Sequence, residues 1–478
     1  MQEPDASVSV STLVEQARAA QPGWAQRSFR ERASMLRDLA ARIRSDKRLV
    51  ELISAETGKP TFEAFAFEVA YLCEIVRFMT GPQGRASIAS DTRSSLIFPH
   101  KRARVTWKPR GVVAVIGPWN FPLLNNFGDA ISPLVAGNSV VLKPSPHSPR
   151  TSLHMQALWR ELGLPEGVFQ VVEGGNEVGC ALVDSCDMVF FTGSLSAGQK
   201  IAARAGERLI PCVAELGGKS AMIVLGDADL PAAARSAVWG AFAGAGQVCI
   251  RPERILVESK VADDFVRLVL AEAGKIRFGG GEDRDVGRVL LASQVERCRS
   301  QVDDALARGA RLAAGGQVHE DASGLFFQPT ILDHVSPESA VAREETFGPI
   351  LPIIRVSDAD EAVRLTNASV LGLSGAVWSK NTKAAAALAE RLVTGSVCIN
   401  DVLINYFFVG APLGAAKGAG LGFRHGGEAL RQFCYPQTLV EDRPGLVFLA
   451  RWIRRQIGFP YGRRVREVLR WLMKAIYR

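Results

Sequence analysis

At 478 residues, 47% hydrophobic and 22% charged, the chain is too long for one ordinary core and has the make-up of a globular protein of two or three domains. Its net charge of +8 sits entirely in residues 451–478, where nine Arg and Lys face one acid, Glu467; the other 48 basic and 48 acidic residues cancel, which excludes a nucleic-acid-binding body. Eight scattered cysteines without a CxxC pair, and six histidines without HExxH, exclude a disulfide framework and a metal site and point to reduced thiols in a cytoplasmic setting.

Along the chain, Met1-Gln2-Glu3-Pro4-Asp5 lacks the basic and apolar regions of a secretory signal. No apolar run approaches the roughly 18 residues that span a bilayer. Residues 11–80 carry helical spacing, as at Leu36, Leu39, Ala40 and Ile43, then Leu49, Leu52 and Ile53. Thr57-Gly58-Lys59-Pro60 separates two helices. Residues 94–107 read as a basic, extended stretch. The continuous apolar run at 112–116 predicts a parallel strand covered on both faces, and 140–142, 168–172 and 188–191 repeat it with helices between. That alternation predicts a doubly wound, Rossmann-like α/β sheet. A second series begins with 221–224 and 255–257, and no low-complexity linker divides the two.

Four segments carry chemistry. They are Pro118-Trp119-Asn120-Phe121-Pro122, Glu215-Leu216-Gly217-Gly218-Lys219, Gly246-Gln247-Val248-Cys249-Ile250 and Glu345-Thr346-Phe347-Gly348-Pro349. A lone cysteine in an α/β protein is usually an apolar filler, the reading given to the other seven. Cys249 differs through its small-residue approach, Gly244-Ala245-Gly246, and its three companion motifs. A thiolate attacks an aldehyde carbon, and the resulting oxyanion needs donors. Asn120, on a turn past a buried strand, offers its amide beside the Cys249 backbone N–H, one such donor being worth about 3–4 kcal/mol of barrier. Glu215, at a strand end, is the candidate base that activates water against a thioester. Lys143 follows a strand where it can bond ribose hydroxyls. Thr192-Gly193-Ser194, then Gly198, forms a strand-to-helix turn suited to a pyrophosphate, although it is not GxGxxG.

In this order the motifs resemble the aldehyde dehydrogenase superfamily, over a span from about Ser11 to about Glu441. The resemblance implies NAD- or NADP-dependent oxidation of an aldehyde to a carboxylate through a thiohemiacetal and a thioester on Cys249. It places Thr192 near the nicotinamide, Ser194 on phosphate, Glu345 on the nicotinamide ribose and Phe347 beside the ring. Trp119, Ser145 and Leu216 complete the cofactor set. It also implies a cofactor domain (1–90 and 110–217), a catalytic domain (218–413) and oligomerisation strands (91–109 and 427–442) joining a homodimer or homotetramer.

Two departures from the family pattern and one likeness to a branch of it stand out. Pro146 occupies the position of a glutamate that bonds the ribose 2′-hydroxyl in many relatives, which leaves NAD and NADP level. Leu413 replaces an aromatic that often lines the substrate tunnel. Phe423-Arg424-His425-Gly426 is similar to a bacterial branch often named succinate-semialdehyde dehydrogenase, yet no motif places the cation such a substrate requires. Asn400, Asn405, Tyr406, Phe407 and Phe408 read equally as tunnel mouth or as ordinary core and loop.

Residues 445–478 form a basic amphipathic tail. Val465, Val468, Leu469, Leu472, Met473 and Ile476 share one helical face, with Arg463, Arg464, Arg466, Arg470, Lys474 and Arg478 elsewhere. A first segment, 447–457, ends at Gly458-Phe459-Pro460-Tyr461-Gly462. With Trp452 and Trp471 the tail suits peripheral contact with an anionic inner membrane face, or docking on its own protein or a partner subunit. A rival from another class is a non-catalytic, membrane-associated scaffold, against which the complete set Cys249, Glu215, Asn120, Lys143 and Glu345 speaks.

Overall fold

The computed structural model describes residues 9–280, 284–322, 324–456, 459 and 462–476. Expectations on Met1 to Asp5, Ile457, Gly458, Pro460, Tyr461 and Arg478, and on the side chains of Arg464, Leu472 and Ile476, lie outside the described residues.

Apolar runs become central strands. Val112–Ile116 and Ser139–Lys143 are buried at every position and pair in parallel, Val112 opposite Ser139 and Ile116 opposite Lys143. The sheet they centre has six strands, in the order Gly420–Leu421, Cys212–Glu215, Met188–Thr192, Val112–Ile116, Ser139–Lys143, Phe169–Val171. Gly420–Leu421 alone runs antiparallel, on the edge, with Gly420 opposite Glu215. Because side chains alternate across a strand, Val113 and Val115 enter one apolar core while Val112, Ala114 and Ile116 enter a second on the opposite face. The helix Val10–Gln26 lies over the sheet, and its Trp24 indole donates to Leu134 O at 2.9 Å.

The second sheet has seven strands, ordered Arg311–Ala314, Thr330–Asp333, Ile350–Val356, Arg254–Glu258, Ala221–Val224, Ser374–Trp378, Ser396–Ile399. All pair in parallel except Arg311–Ala314. Helices Leu230–Phe242 and Ser259–Ala273 pack against it. The fold is thus α/β, with two mainly parallel sheets.

A third, antiparallel sheet joins Asp91–Ser94, Lys101–Pro109 and Cys434–Asp442. The last strand starts later than the sequence suggests. Residues 427–432 belong to a short helix, Gly426–Gln432, which lies so close to Ser87 that a Cβ at Gly427 would stand 2.2 Å from its hydroxyl. Two helices, Val447–Gln456 and Arg463–Ile476, follow the sheet. No helix among the described residues is long and apolar enough to cross a membrane.

Candidate active site

Cys249 stands beyond a left-handed turn. Gly244, Ala245 and Gly246 have φ of 59°, 54° and 71°, and a Cβ on Gly246 would lie 2.3 Å from Gly348 O. Only glycine lets this loop press against the Glu345 to Pro349 segment. Gln247 fixes the loop from its other side: its amide donates to Gly244 O (3.0 Å) and accepts from Leu290 N–H (2.9 Å). The Cys249 thiol is pushed up to about 12, first by burial and then by the Glu215 carboxylate, while Arg424 opposes both. Cys249 is therefore held as a thiol.

Asn120 is buried and donates to Gln247 O at 2.8 Å, which aims its amide at the Cys249 loop and leaves its second N–H without a hydrogen-bond partner among the described residues. Its turn is clamped from below. The Lys59 ammonium donates to Asn120 O, forms a 2.5 Å ion pair with buried Glu68 and lies 3.6 Å from the Phe121 ring centre. Glu68 in turn accepts from Leu123 N–H at 2.8 Å. Glu68 belongs to a π-helical segment, Ala64–Ala70, and the turn runs on into another, Leu123–Gly128, a local irregularity frequent at functional sites.

Glu215 closes its strand, buried, and its backbone carbonyl accepts from Gly193 N–H at 3.1 Å. Burial raises its carboxyl above the usual range, with Arg424 opposing. Glu345 accepts from Gly218 N–H at 2.8 Å, and a Cβ on Gly217 would strike its carboxylate at 2.3 Å, so the bare Gly217 admits that side chain. Burial and the neighbouring charge of Glu253 push Glu345 up to about 7. Phe347, with φ of 52°, meets Trp119 edge to face at 5.6 Å.

One cleft of about 230 Å³ brings together Trp119, Asn120, Thr192, Gly193, Ser194, Glu215, Leu216, Cys249, Glu345 and Phe347. It opens where the strands Met188–Thr192 and Cys212–Glu215 end, the customary ligand crevice of a doubly wound sheet. Ser194 caps the helix Leu195–Glu207, accepting from Ala197 N–H at 3.4 Å, so that helix presents its N-terminus to the cleft. Gly198 stands behind this turn, where a Cβ would collide with Leu216. Lys143 and Ser145 do not line the cleft; they sit buried past Ser139–Lys143, with the Lys143 ammonium donating to Pro144 O at 3.2 Å. Polar groups at strand ends, a helix N-terminus and close glycine backbone together fit a dinucleotide. Pro146 is exposed and brings no carboxylate.

On the other side of Cys249 lies a narrow, mostly apolar tunnel, lined by Phe67, Phe121, Leu124, Trp239, Val248, Ile250, Leu403 and Phe407, with Asn125, Tyr406 and Glu63. No Lys or Arg lines it. Both carboxylate oxygens of Glu63 accept from Gly244 N–H at 3.1 Å, and burial pushes that carboxyl up to about 7. Of the aromatic run, Tyr406 and Phe407 line the tunnel, and Phe408 is exposed. Asn400 and Asn405 instead bond Ser379 and Ser374. Leu413 is buried but does not line the tunnel.

Three further residues organise the site without having stood out in the sequence. Arg424 donates to Asn125 (2.6 Å), the Tyr406 hydroxyl (2.7 Å), Asp129 (2.9 Å) and the Thr192 hydroxyl (2.7 Å). Despite burial, Asp129 and Tyr406 hold its guanidinium charged. Glu253 receives the Lys219 ammonium at 2.7 Å, Thr346 N–H at 2.9 Å and Phe347 N–H at 3.1 Å, and pairs with Arg251. Although burial opposes it, Arg251 and Lys219 draw this carboxyl down to about 2. Lys59 is the third. The tetrapeptide around Arg424 and the Glu-Leu-Gly-Gly-Lys run were the available signals, but a side chain's partners across the fold leave no local trace. All eight cysteines are free, and no cluster of three metal-ligating side chains occurs among the described residues.

A family model described as the aldehyde dehydrogenase family matches residues 3–439. A Mycobacterium tuberculosis protein named "Putative succinate-semialdehyde dehydrogenase (NADP(+)) 2" is 37% identical over 456 residues, covering 91% of this chain and 85% of its own. The 4,4′-diapolycopene aldehyde oxidase of a Methylomonas species is 37% identical over 460 residues, covering 95% and 84%. The crystal structure of an NAD-dependent aldehyde dehydrogenase from Sinorhizobium meliloti superimposes with a TM-score of 0.87 at 34% identity, over 91% of this chain and 88% of that one. With its motifs gathered around one cysteine, this chain belongs to the aldehyde dehydrogenase family.

Proposed function

We propose that the protein oxidises aldehydes bearing an apolar chain to carboxylates, with NAD or NADP as acceptor, through a thioester on Cys249. The observation that carries this reading is the position of Cys249, which lines both the polar cleft and the apolar tunnel. Glu215 takes the thiol proton, and the Cys249 sulfur bonds the aldehyde carbon. The second N–H of Asn120 and the Cys249 backbone N–H meet the oxyanion. A bound dinucleotide would supply the acceptor for the hydride on this carbon. Once Glu215 has given the thiol proton up to solvent it takes another from water, the hydroxyl adds to the thioester carbon, and the C–S bond breaks; the departing Cys249 thiolate recovers a proton from Glu215, and the carboxylic acid ionises to solvent.

Lys143 and Ser145 would hold the adenosine ribose, Ser194 and its helix the pyrophosphate, and Glu345 the nicotinamide ribose. Trp119, Thr192, Leu216 and Phe347 would wall the ring, with Gly193 and Gly198 shaping the turn. The 91–94, 101–109 and 434–442 sheet, which exposes Leu439 and Val440, is the proposed dimer or tetramer contact. It accompanies a cofactor domain (1–90, 110–217) and a catalytic domain (218–413).

Succinate semialdehyde carries a carboxylate that the tunnel meets with no cation and with one acid, Glu63, an unfavourable match. The hydrocarbon aldehyde in the Methylomonas relative's name has no such group. The scaffold alternative gains no support from either observation. Reduced-nicotinamide formation across an aldehyde panel tests the reading. Long aliphatic aldehydes are expected to exceed succinate semialdehyde in kcat/KM by about a hundredfold. The reverse order would sink the apolar assignment, and full activity in Cys249→Ala would sink the mechanism.

A further inference from the structure

The tail carries charge and apolar surface that the catalytic site does not use. Val447–Gln456 is fastened to the third sheet: Ala450 is buried, Arg454 pairs with Asp442, and Arg443 N–H donates to His100 O at 2.8 Å. From that base Phe448 and Trp452, one helical turn apart, stand 71% and 58% exposed. In Arg463–Ile476, Val468, Leu469, Trp471 and Met473 are exposed as well, Trp471 to 68%. Arg463, Arg470 and Lys474 lie on the far side from the Val468, Leu469 and Met473 stripe, and Arg466 flanks it. Among the described residues, no hydrogen bond or ion pair ties this second helix to the rest of the chain.

Such an apolar face needs an occupant, and charge selects among the candidates. A second copy of this chain offers a body whose 48 acids and 48 bases cancel, so it presents no net negative charge to nine cationic residues against one acid. A nucleic acid would neutralise the arginines but leave valine, leucine, methionine and tryptophan in water. An anionic bilayer satisfies both, with phosphates for the arginines and an interfacial zone that favours tryptophan. We propose that the helices Val447–Gln456 and Arg463–Ile476 form a peripheral anchor that lies on anionic lipid, with Trp452, Val468 and Leu469 among the side chains at the headgroup boundary. Docking is independent of the aldehyde; only its use, admitting bilayer-dissolved aldehydes to the tunnel, rests on the apolar-substrate reading.

Co-sedimentation of the full chain with phosphatidylglycerol–phosphatidylcholine vesicles, against phosphatidylcholine alone, tests the anchor. The expected result is at least about tenfold tighter binding to the anionic vesicles, weakened by salt. Two variants should each lose about tenfold of it: Leu469→Glu with Met473→Glu, and Arg463→Glu with Arg466→Glu and Arg470→Glu. Both should keep full activity on a short, water-soluble aldehyde, which shows that they fold. Equal binding to the two vesicle types would overturn the proposal, as would undiminished binding by the variants. So would a tail that binds an oligonucleotide but not vesicles, or one whose charge variants change the subunit number while the parent ignores lipid. Vesicle binding is read with no aldehyde present, so failure of the substrate panel and failure of the anchor are separate results.

Discussion

Arg424 ties four parts of the active site to one guanidinium. Its fork reaches Thr192 before the Ser194 turn, Asn125 and Asp129 after the Asn120 turn, and Tyr406 in the tunnel wall. Lysine carries the charge but not the planar fork, so Arg424→Lys keeps one or two of these bonds and releases the others. The expected outcome is a fall in kcat of about ten- to a hundredfold with aldehyde KM little changed, because positioning rather than binding is lost. Steady-state kinetics on the folded variant, checked by its unfolding transition, measures this. Glu63 offers a second test, in pH. Its carboxyl is raised from 4.5 to about 7 by burial, so the native state holds a proton that the unfolded chain releases. Stability from that group is complete below the unfolded value of 4.5 and is lost as pH rises through about 7. Relative to Glu63→Gln, which never ionises, the parent should lose up to about 3 kcal/mol across that interval, read from denaturant unfolding at its two ends.

Among the elements, those buried by their own composition were legible. Val112–Ile116, Ser139–Lys143 and Ala221–Val224 are strands because short, mostly apolar runs containing β-branched residues suit a sheet covered on both faces. Thr57-Gly58-Lys59-Pro60 read correctly as a helix stop, since Gly58 has a φ of 75° at the end of Lys47–Thr57. What escaped the reading is that Lys59 turns inward to hold the Asn120 turn, a contact 61 residues distant. The same holds for Glu253 beneath Thr346 and Phe347. Motif residues announce themselves through unusual local combinations, whereas their supports are ordinary charges whose partners only the fold supplies. Lys59→Met would leave Glu68 buried and unpaired, at about 3–5 kcal/mol of stability. Pairing it with Glu68→Leu should restore part of that loss, as measured by thermal unfolding. No recovery in the double variant would show that Lys59 acts through Asn120 alone.

For the molecule as a whole, the two sides of Cys249 divide the work of recognition. The cleft at the first sheet's strand ends would settle the dinucleotide, and the tunnel walled by Phe67, Trp239 and Phe407 would settle the aldehyde. Since the two cavities meet at Cys249, cofactor choice and substrate choice should be separable. Pro146→Glu adds a carboxylate where a 2′-phosphate would be repelled, and is expected to raise the NAD to NADP ratio of kcat/KM about tenfold without altering aldehyde preference. Trp239→Arg adds a cation to a tunnel wall that has none, and should favour succinate semialdehyde by about the same factor without altering the cofactor ratio. In the double variant the two effects should add to within about 0.5 kcal/mol, as for sites that share no partner. Kinetics with both cofactors and both aldehydes on the four proteins would show it. A larger departure would mean that cleft and tunnel move together, and that the loop from Gly244 to Cys249, wedged against Gly348, transmits the strain of one occupant to the other.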